Sequence, residues 1–530
     1  MPTEPQQASI APVQEARWAK VIDHTRCIGC HACSTACKSE NEVPLGVHRT
    51  YVKYAEVGTF PQVKRHYQVT RCNQCDDAPC VEICPTGAMY RRRDGIVDFD
   101  KSICIGCKAC MAACPYDAIF INPEDHSAEK CNFCAHRIDV GLEPACVTVC
   151  PTQAILVGDL EDPTSRVAQI AHREAVAVRR PEKGTQPKLF YVGAHQATLD
   201  PLAARRPDGG LFLWGEQAAA HDQVVSGYPR ESARRPGTSS AAALLAFDVP
   251  HTIPWDWRVG LYTLTKGIAA GAYLVALMLV RLGVVAPDRG LWTTAAPLLA
   301  IAALVATAGI LVADLEHPER FWMLLTRGRW RSWLVRGAWI LSGYGVVLAA
   351  HVAPVLLGRA APSWLLPLAA LGAPLAALTA VYTAWLFAQA KARDLWQNPL
   401  LPPHLVFQAA LLGSAILLPI ATVMNNRVDL LLWTLAITSV IHLLMVWGEV
   451  SLTHPTAHAR LAIWEMVRGR YKTDFWMGTA LSLIGGLLPL LAVLGVVSIQ
   501  IGVGGAPFAL IGLMLFENAY VQAAQSVPLA

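Results

Sequence analysis

All sixteen cysteines of this 530-residue chain lie between Cys27 and Cys150, and residues 151–530 contain none. They form four quartets with recurring short spacings: Cys27, Cys30, Cys33 and Cys37; Cys72, Cys75, Cys80 and Cys84; Cys104, Cys107, Cys110 and Cys114; Cys131, Cys134, Cys146 and Cys150. The chain therefore divides into a cysteine-rich head and a cysteine-free remainder, and the two parts must be stabilised in different ways.

The spacing within the quartets predicts iron–sulfur clusters. The first and third quartets have the pattern Cys-x2-Cys-x2-Cys-x3-Cys, and the second and fourth have the same pattern with one longer gap. In this pattern three thiolates bind one cubane cluster and the fourth binds a neighbouring cluster. Four quartets therefore predict four 4Fe-4S clusters, with all sixteen cysteines as ligands.

Two other uses of cysteine fit the pattern less well. A disulfide framework requires an oxidising compartment, and the first twenty residues contain neither an apolar signal segment nor twin arginines. Zinc sites usually consist of separated Cys-x2-Cys pairs, whereas two of these quartets have a third cysteine two residues later. Zinc remains the alternative to iron–sulfur.

The composition of the chain indicates that a large part of it lies in a membrane. Hydrophobic residues make up 53% and charged residues 16% of the chain, against roughly 25% charged in soluble domains. Apolar runs of about twenty residues, the length that crosses a bilayer, predict eight spans at 259–281, 292–313, 335–357, 364–388, 404–424, 430–452, 475–499 and 503–523. Eight such runs argue against a soluble all-α core, and the net charge of +4 without a basic stripe argues against nucleic-acid binding.

These patterns predict a four-part organisation. We expect a flexible arm at 1–20, a cluster domain at 21–192, a tether at 193–250 and a membrane domain at 251–530. Short apolar stretches at 95–99 and 118–122 indicate small strands between the cysteine loops. The predicted fold is an α+β ferredoxin-like double head, followed by an all-α polytopic domain of eight transmembrane helices in two four-helix bundles.

The basic residues near the span ends predict the orientation. Fifteen lysines and arginines flank the spans on the side of the N-terminus, including Arg230, Arg234 and Arg235, and four, including Arg359, lie on the opposite side. We therefore expect the head to face the cytoplasm from a bacterial or archaeal cell (inner) membrane.

Residues 18–192, with all four quartets and the segment PTQAILVGDLEDP, resemble the four-cluster ferredoxin subunits of membrane-bound molybdopterin oxidoreductases of the dimethyl sulfoxide and polysulfide reductase group. In that family the first quartet pairs with the fourth and the second with the third. The resemblance implies four ligand sets: Cys27, Cys30, Cys33 and Cys150; Cys37, Cys131, Cys134 and Cys146; Cys72, Cys75, Cys80 and Cys114; Cys84, Cys104, Cys107 and Cys110.

Residues 255–525 resemble the NrfD-like membrane anchor of polysulfide reductase. The segments that carry the likeness are KGIAAGAYLVA, DLEHPERFWMLL, RSWLVRGAWILSGY, VYTAWLFAQAKARDLW and GEVSLTHPTAHARLAIWEMVRGRY. The resemblance implies a site for menaquinone or ubiquinone in the first four-helix bundle, close to the ferredoxin part. In that family the two parts are usually separate chains, and here they are fused.

Ionisable groups within spans are costly and therefore suggest function. Lys266, Asp314, His442, Glu449 and Glu517 are such groups. A quinone needs polar partners at its carbonyl oxygens and a route for protons. The residues predicted for this role are near the head-side ends of the first four spans: Tyr262, Lys266, Asp314, His317 and Tyr382.

Each of these residues also has a structural interpretation. Asp314 and His317 would cap the second span and pair with Arg320 or Arg336, and Lys266 would extend its ammonium to the interface. The tyrosines would belong to an aromatic belt. His442 and Glu449 share one helix face, which suits a proton path or a buried structural hydrogen bond.

The sequence predicts an electron-transfer and anchor subunit rather than a complete enzyme. It has no Gly-rich dinucleotide motif and no cysteine beyond the quartets, so substrate chemistry is expected on another chain. The resemblance implies that this partner is a molybdopterin-containing subunit. Electrons would pass between that cytoplasmic partner and the membrane quinone pool. The alternatives are a redox-driven ion-translocating, quinol-oxidising module and an anchor without an active quinone site.

Overall fold

The computed structural model describes residues 16–205, 243–358 and 363–530. The predicted arm at 1–20 and the predicted tether at 193–250 therefore fall largely outside the described residues. Arg230, Arg234, Arg235 and Arg359, which contribute to the predicted orientation, also lie outside them.

The head is a small ferredoxin-like domain of short strands and helices. Its strands, with one contributed by the segment before the membrane domain, are β1 (Trp18–Asp23), β2 (Thr50–Thr59), β3 (Gln62–Arg71), β4 (Met89–Arg91), β5 (Val97–Phe99), β6 (Ile119–Ile121), β7 (Ala128–Lys130), β8 (Ile155–Asp159), β9 (Val176–Ala177), β10 (Leu189–Val192) and β11 (Ala243–Phe247). Its α-helices are Ala32–Glu40, Pro79–Ile83, Ala109–Ala113, Ala135–Ile138, Ala145–Thr148, Arg166–Arg173 and Gln196–Leu199. The strands predicted at 95–99 and 118–122 are confirmed as β5 and β6.

One sheet joins the two ends of the head. Its strand order is β8-β1-β10-β9, with β1 parallel to β10 and antiparallel to β8. Because β1 precedes the first quartet and β8 follows the last, this sheet holds together the segments that bracket all sixteen cysteines. The shorter hairpin β4-β5 separates the second quartet from the third, and the hairpin β6-β7 separates the third from the fourth.

A second sheet, of order β11-β2-β3, was not predicted from the sequence. β2 and β3 form a ten-residue hairpin, and β11 pairs antiparallel with β2. β11 lies in the segment predicted as a tether, whose Gly, Pro and Ser content concealed the apolar stretch ALLAF. Leu245 is fully buried against the head, so this part of the segment belongs to the folded core.

Within the described residues, eight helices are long and apolar enough to cross a membrane. From the first to the eighth they are Trp257–Arg281, Leu291–Ala313, Trp333–Leu356, Leu365–Gln389, Leu401–Val423, Asp429–Ser451, Lys472–Val493 and Ile499–Gln525. Two shorter helices, Met323–Thr326 and Ala457–Val467, lie between them. The predicted all-α domain with eight spans is confirmed, and most boundaries agree within a few residues.

The eight membrane helices pack as two bundles of four. The first to fourth form one bundle, the fifth to eighth form the other, and the first helix also contacts the fifth and eighth. Gly271 and Gly413 allow the closest approach between bundles: a Cβ atom on Gly271 would lie 1.8 Å from the carbonyl oxygen of Ala409. Small residues permit such backbone contact in membranes.

The head rests on the first bundle through the loop at 314–332. The backbone N–H of His317 donates to the carbonyl oxygen of Ile105 at 3.3 Å, and that of Arg329 donates to Pro85 at 2.7 Å. The hydroxyl of Ser332 donates to the carbonyl of Ile83 at 2.7 Å. These bonds fix the second and third quartets directly above the helix ends.

Candidate functional site

The sixteen thiols lie in four groups in the head. Within a group the thiols interact electrostatically; for example, burial and then the thiols of Cys131, Cys146 and Cys134 raise the pKa of Cys37 to about 12. Each group combines three cysteines of one quartet with one of another. We name them the Cys27 set (Cys27, Cys30, Cys33, Cys150), the Cys37 set (Cys37, Cys131, Cys134, Cys146), the Cys72 set (Cys72, Cys75, Cys80, Cys114) and the Cys84 set (Cys84, Cys104, Cys107, Cys110).

The four sets form a row. Cys33 of the Cys27 set interacts with Cys146 of the Cys37 set, and Cys110 of the Cys84 set interacts with Cys80 of the Cys72 set. Gln74 joins the middle two sets, because its backbone N–H donates to the Cys72 sulfur at 3.5 Å and its side chain donates to the Cys131 carbonyl at 2.8 Å. The row begins at the head surface, where Cys30 is exposed, and ends at the membrane domain.

The same backbone turn recurs in the first Cys-x2-Cys segment of each quartet. The residue before the second cysteine has a positive φ in each: Gly29, Gln74, Gly106 and Phe133 have φ values of 69°, 49°, 66° and 69°. This left-handed conformation is uncommon for residues other than glycine. It turns the chain back so that both thiols of the segment face the same space.

Buried cations test whether an anionic group fits among these thiols. Lys20 and Arg71 are 2% and 1% exposed, and neither forms a salt bridge with a carboxylate among the described residues. Arg71 donates to the Cys146 sulfur at 3.0 Å, while its Nε and Nη2 have no protein partner in the described ranges. A buried charge is costly unless it is compensated. An iron–sulfur cluster held by thiolates supplies the missing negative charge, so the donor set fits such clusters.

A cavity of about 220 Å³ lies where the first bundle meets the Cys84 set. Its roof includes Ile105 and Cys107 of the head, and its walls are mostly apolar side chains of the first four membrane helices. Trp255 also lines the cavity and contacts the Cys84 set, because its indole N–H donates to the Cys107 carbonyl at 3.1 Å. An apolar chamber of this kind, with a few polar groups, suits a small amphipathic ligand.

Three residues of the predicted quinone site line this cavity: Tyr262, Asp314 and Tyr382. The Tyr262 hydroxyl donates to the hydroxyl of Thr383 at 3.2 Å. Asp314 lies just beyond the second membrane helix, 3.4 Å from the Lys108 ammonium; it does not pair with Arg320 or Arg336. Burial raises the pKa of Asp314 to about 6 although Lys108 opposes the shift, so this carboxyl is suited to exchange a proton near neutral pH.

The other two predicted residues do not line the cavity. Lys266 is 1% exposed and donates to the carbonyl oxygen of Ala380 at 2.7 Å, with its ammonium 5.4 Å from the Tyr382 ring centroid. It therefore does not extend to the interface. His317 faces the head, where its Nε2 is 2.9 Å from the carbonyl oxygen of Asp125. Its position indicates a role in docking the head rather than direct contact with a ligand.

Sequence reasoning missed several residues of this site. Trp255, Lys108 and Arg71 are neither cysteines of the quartets nor ionisable residues within the spans, so neither signal could find them. Lys108 directly follows the second cysteine of its quartet. The cysteine spacing places no requirement on the charge of the residue at this position. Only the packing of the head on the bundle brings it to Asp314.

Comparison with known protein families agrees with both parts of this architecture. A model described as a 4Fe-4S dicluster domain matches residues 63–160. A model described as "Polysulphide reductase, NrfD" matches residues 248–527, which is more than half of the chain. The chain belongs to the polysulphide reductase NrfD family. In this NrfD-family protein an iron–sulfur subunit and a multi-pass membrane anchor are fused into one polypeptide.

The head of this NrfD-family protein is similar to subunits of two reductases and to protein NrfC. A tetrathionate reductase subunit of Salmonella typhimurium is 44% identical over 208 residues, which cover 38% of this chain and 80% of the relative. The arsenate respiratory reductase iron-sulfur subunit ArrB of a Shewanella species is 39% identical over 224 residues, covering 33% and 96%. Protein NrfC of Escherichia coli is 43% identical over 183 residues, covering 34% and 82%. The first two names describe subunits of reductase complexes, in agreement with the prediction for the head.

Proposed function

We propose that this chain transfers electrons between the membrane quinone pool and a molybdopterin-containing catalytic subunit. The observation that carries the proposal is the direct contact between the Cys84 set and the cavity. Cys107 belongs to this set and also lines the cavity. A quinone bound in the cavity would lie next to the last group of the row. The relatives that are named as subunits of reductases support a catalytic partner on a separate chain.

Each of the four cysteine sets would hold one 4Fe-4S cluster. Bound clusters would supply one-electron transfer along the row. The Cys27 set is the part of the row that is open to solvent, with Cys30 exposed and the neighbouring Ile28 56% exposed. This surface is therefore the proposed contact with the catalytic partner.

The residues of the cavity would orient the quinone. Tyr262 and Tyr382 line the cavity from the first and fourth membrane helices, and Asp314 lines it beneath the head. Reduction of a quinone consumes two electrons and two protons, and quinol oxidation releases them, so each carbonyl oxygen needs a hydrogen-bond partner that exchanges protons. The apolar walls would exclude bulk water from the ring.

The head would face the cytoplasm from the cell membrane. The excess of arginine and lysine on the head side supports this orientation. Digestion of the head by protease in inverted membrane vesicles, with protection in intact spheroplasts, is the expected result. The reverse pattern would contradict the orientation without affecting the proposed electron transfer.

The proposed function is tested by filling the cavity. We expect Ala338→Trp, which places an indole in the cavity wall, to slow the reduction of the clusters by added quinol at least tenfold. Val346→Trp is the matched control, because it lies on the same helix and is 69% exposed to lipid. Bleaching of the iron–sulfur absorption after addition of quinol measures the rate.

Reduction by dithionite should be equal in both variants, which shows that the clusters are intact. Equal quinol-dependent rates in both variants would refute the assignment of the cavity. Failure of quinol and quinone to change the redox state of the wild-type clusters would refute the proposed function and favour an anchor without an active quinone site.

A further inference from the structure

A chain of buried polar side chains connects the cavity region with the second bundle. Its centre is Glu517 of the eighth membrane helix, whose carboxylate accepts a hydrogen bond from the Gln408 amide at 2.7 Å. Gln408 is 3.5 Å from Nε2 of His404, and that nitrogen is 2.8 Å from Nδ1 of His442. These four residues come from three different helices of the second bundle.

The chain continues into the first bundle. Glu517 interacts electrostatically with the ammonium of Lys266 on the first membrane helix, which packs against the eighth. Lys266 lies against the ring of Tyr382, which lines the cavity. One carboxylate therefore lies between a cation beside the cavity and a pair of histidines in the other bundle.

The polar side chains around Glu517 are buried, and burying them costs free energy that a merely structural contact would not require. Lys266, Gln408, His442 and Glu517 are each no more than 5% exposed, and ionisable groups in the interior of a membrane bundle are expensive. A simple packing contact would be served by apolar side chains. His404 is only half-buried and lies in the first turn of the fifth membrane helix, at its head-side end, so the chain approaches the membrane surface there.

We propose that Glu517 passes protons between the His404–His442 pair and Lys266, and thereby connects the cavity with the head-side surface. The inference rests on the proposed quinone function. Reduction of the quinone takes two electrons from the clusters and two protons through this chain, and quinol oxidation returns both by the same routes. Gln408 holds the Glu517 carboxylate between the two groups, and Glu517 acts through Lys266 rather than by touching the quinone.

The test replaces the carboxylate by its amide isostere in the full chain. Glu517→Gln should slow quinol-dependent cluster reduction at least tenfold and should increase the solvent isotope effect in D2O, because proton transfer becomes rate-limiting. Glu517→Asp should restore a substantial part of the rate. The matched control is Glu465→Gln, which should behave as the wild type. Glu465 is also buried, at 1% exposure, but does not belong to the series of polar side chains around Glu517.

Two further measurements separate proton transfer from structural damage. Dithionite reduction of the clusters and binding of a quinone analogue should be unchanged in Glu517→Gln. If this variant does not accumulate in membranes, Gln408→Leu is expected to show the same slow rate and larger isotope effect. A wild-type rate and isotope effect in Glu517→Gln would overturn the inference, as would a slow rate accompanied by lost quinone binding. Absence of any quinol reaction in the wild type would instead refute the proposed function.

Discussion

The guanidinium of Arg71 should control the reduction potential of the clusters next to it. It lies 3.0 Å from the Cys146 sulfur and interacts with the thiols of Cys33 and Cys131, so it faces both the Cys27 set and the Cys37 set. A fixed positive charge stabilises the reduced form of a cluster, which carries one more negative charge. Removing that charge in Arg71→Gln should therefore lower the midpoint potential.

The magnitude follows from Coulomb's law. Taking about 6 Å between the guanidinium and the centre of a cluster, and an effective dielectric constant of about 20, two unit charges interact by about 3 kcal/mol. For a one-electron couple 59 mV corresponds to a tenfold change in the equilibrium constant, or about 1.4 kcal/mol, so the expected shift is about 120 mV. The shift in midpoint potential should be largest for the Cys37 set, because its Cys146 sulfur accepts the hydrogen bond from Arg71.

The assay is a redox titration of the purified full chain, followed by electron paramagnetic resonance. Arg65→Gln is the matched control, because Arg65 lies on the same strand but its side chain is 49% exposed and pairs with Glu56. We expect two signals to move to lower potential in Arg71→Gln and none to move in Arg65→Gln. Unchanged potentials in an Arg71→Gln protein with full iron content would refute this reasoning.

Two further predictions concern stability. Burial lowers the pKa of His251, but Asp248 and Asp117 outweigh this effect and raise the pKa to about 10. The stabilisation by protonated His251 is therefore complete below the unfolded pKa of about 6.5 and is lost as the pH rises through 10. The melting temperature should fall over this pH range in the wild type and change less in His251→Gln. Gly271→Leu should prevent accumulation of folded protein, because its Cβ would overlap a backbone carbonyl of the fifth membrane helix. The control Gly309→Leu should accumulate normally, because its Cβ meets nothing within 4 Å. Fluorescence size-exclusion chromatography would measure the yield of folded protein for both variants. Equal pH profiles for the wild type and His251→Gln, or equal yields of the two glycine variants, would contradict these predictions.

Apolar length and cysteine spacing were sufficient to predict the fold class because both are local properties of the chain. A run of about twenty apolar residues has one stable solution in a bilayer, a helix that satisfies its own backbone, and eight such helices are present in the described residues. The hairpin formed by β2 and β3 and the addition of β11 were not predicted. The pairing of β11 with β2 joins strands that are far apart in sequence, so composition averaged over 193–250 could not reveal it.

The predicted quinone site shows the same division. Tyr262, Asp314 and Tyr382 were chosen for their chemistry and their depth, and the tertiary structure brings them to one cavity. His317 has the same depth but faces the head, because the loop that carries it forms the docking contact. Residue type and depth along a helix do not determine the direction of a side chain around the helix axis or the elements packed against it.

The sequence alone determined the number of cysteine quartets, the division into head and membrane domain and the number of spans, since each follows from residue spacing along the chain. Only the tertiary structure decided that the Cys84 set lies above the cavity, that Arg71 and Lys20 are buried beside Cys146, and that Glu517 accepts a hydrogen bond from Gln408. These contacts join residues that are far apart in sequence. Their energies depend on which surfaces remain free of water after packing, and no local pattern encodes that outcome.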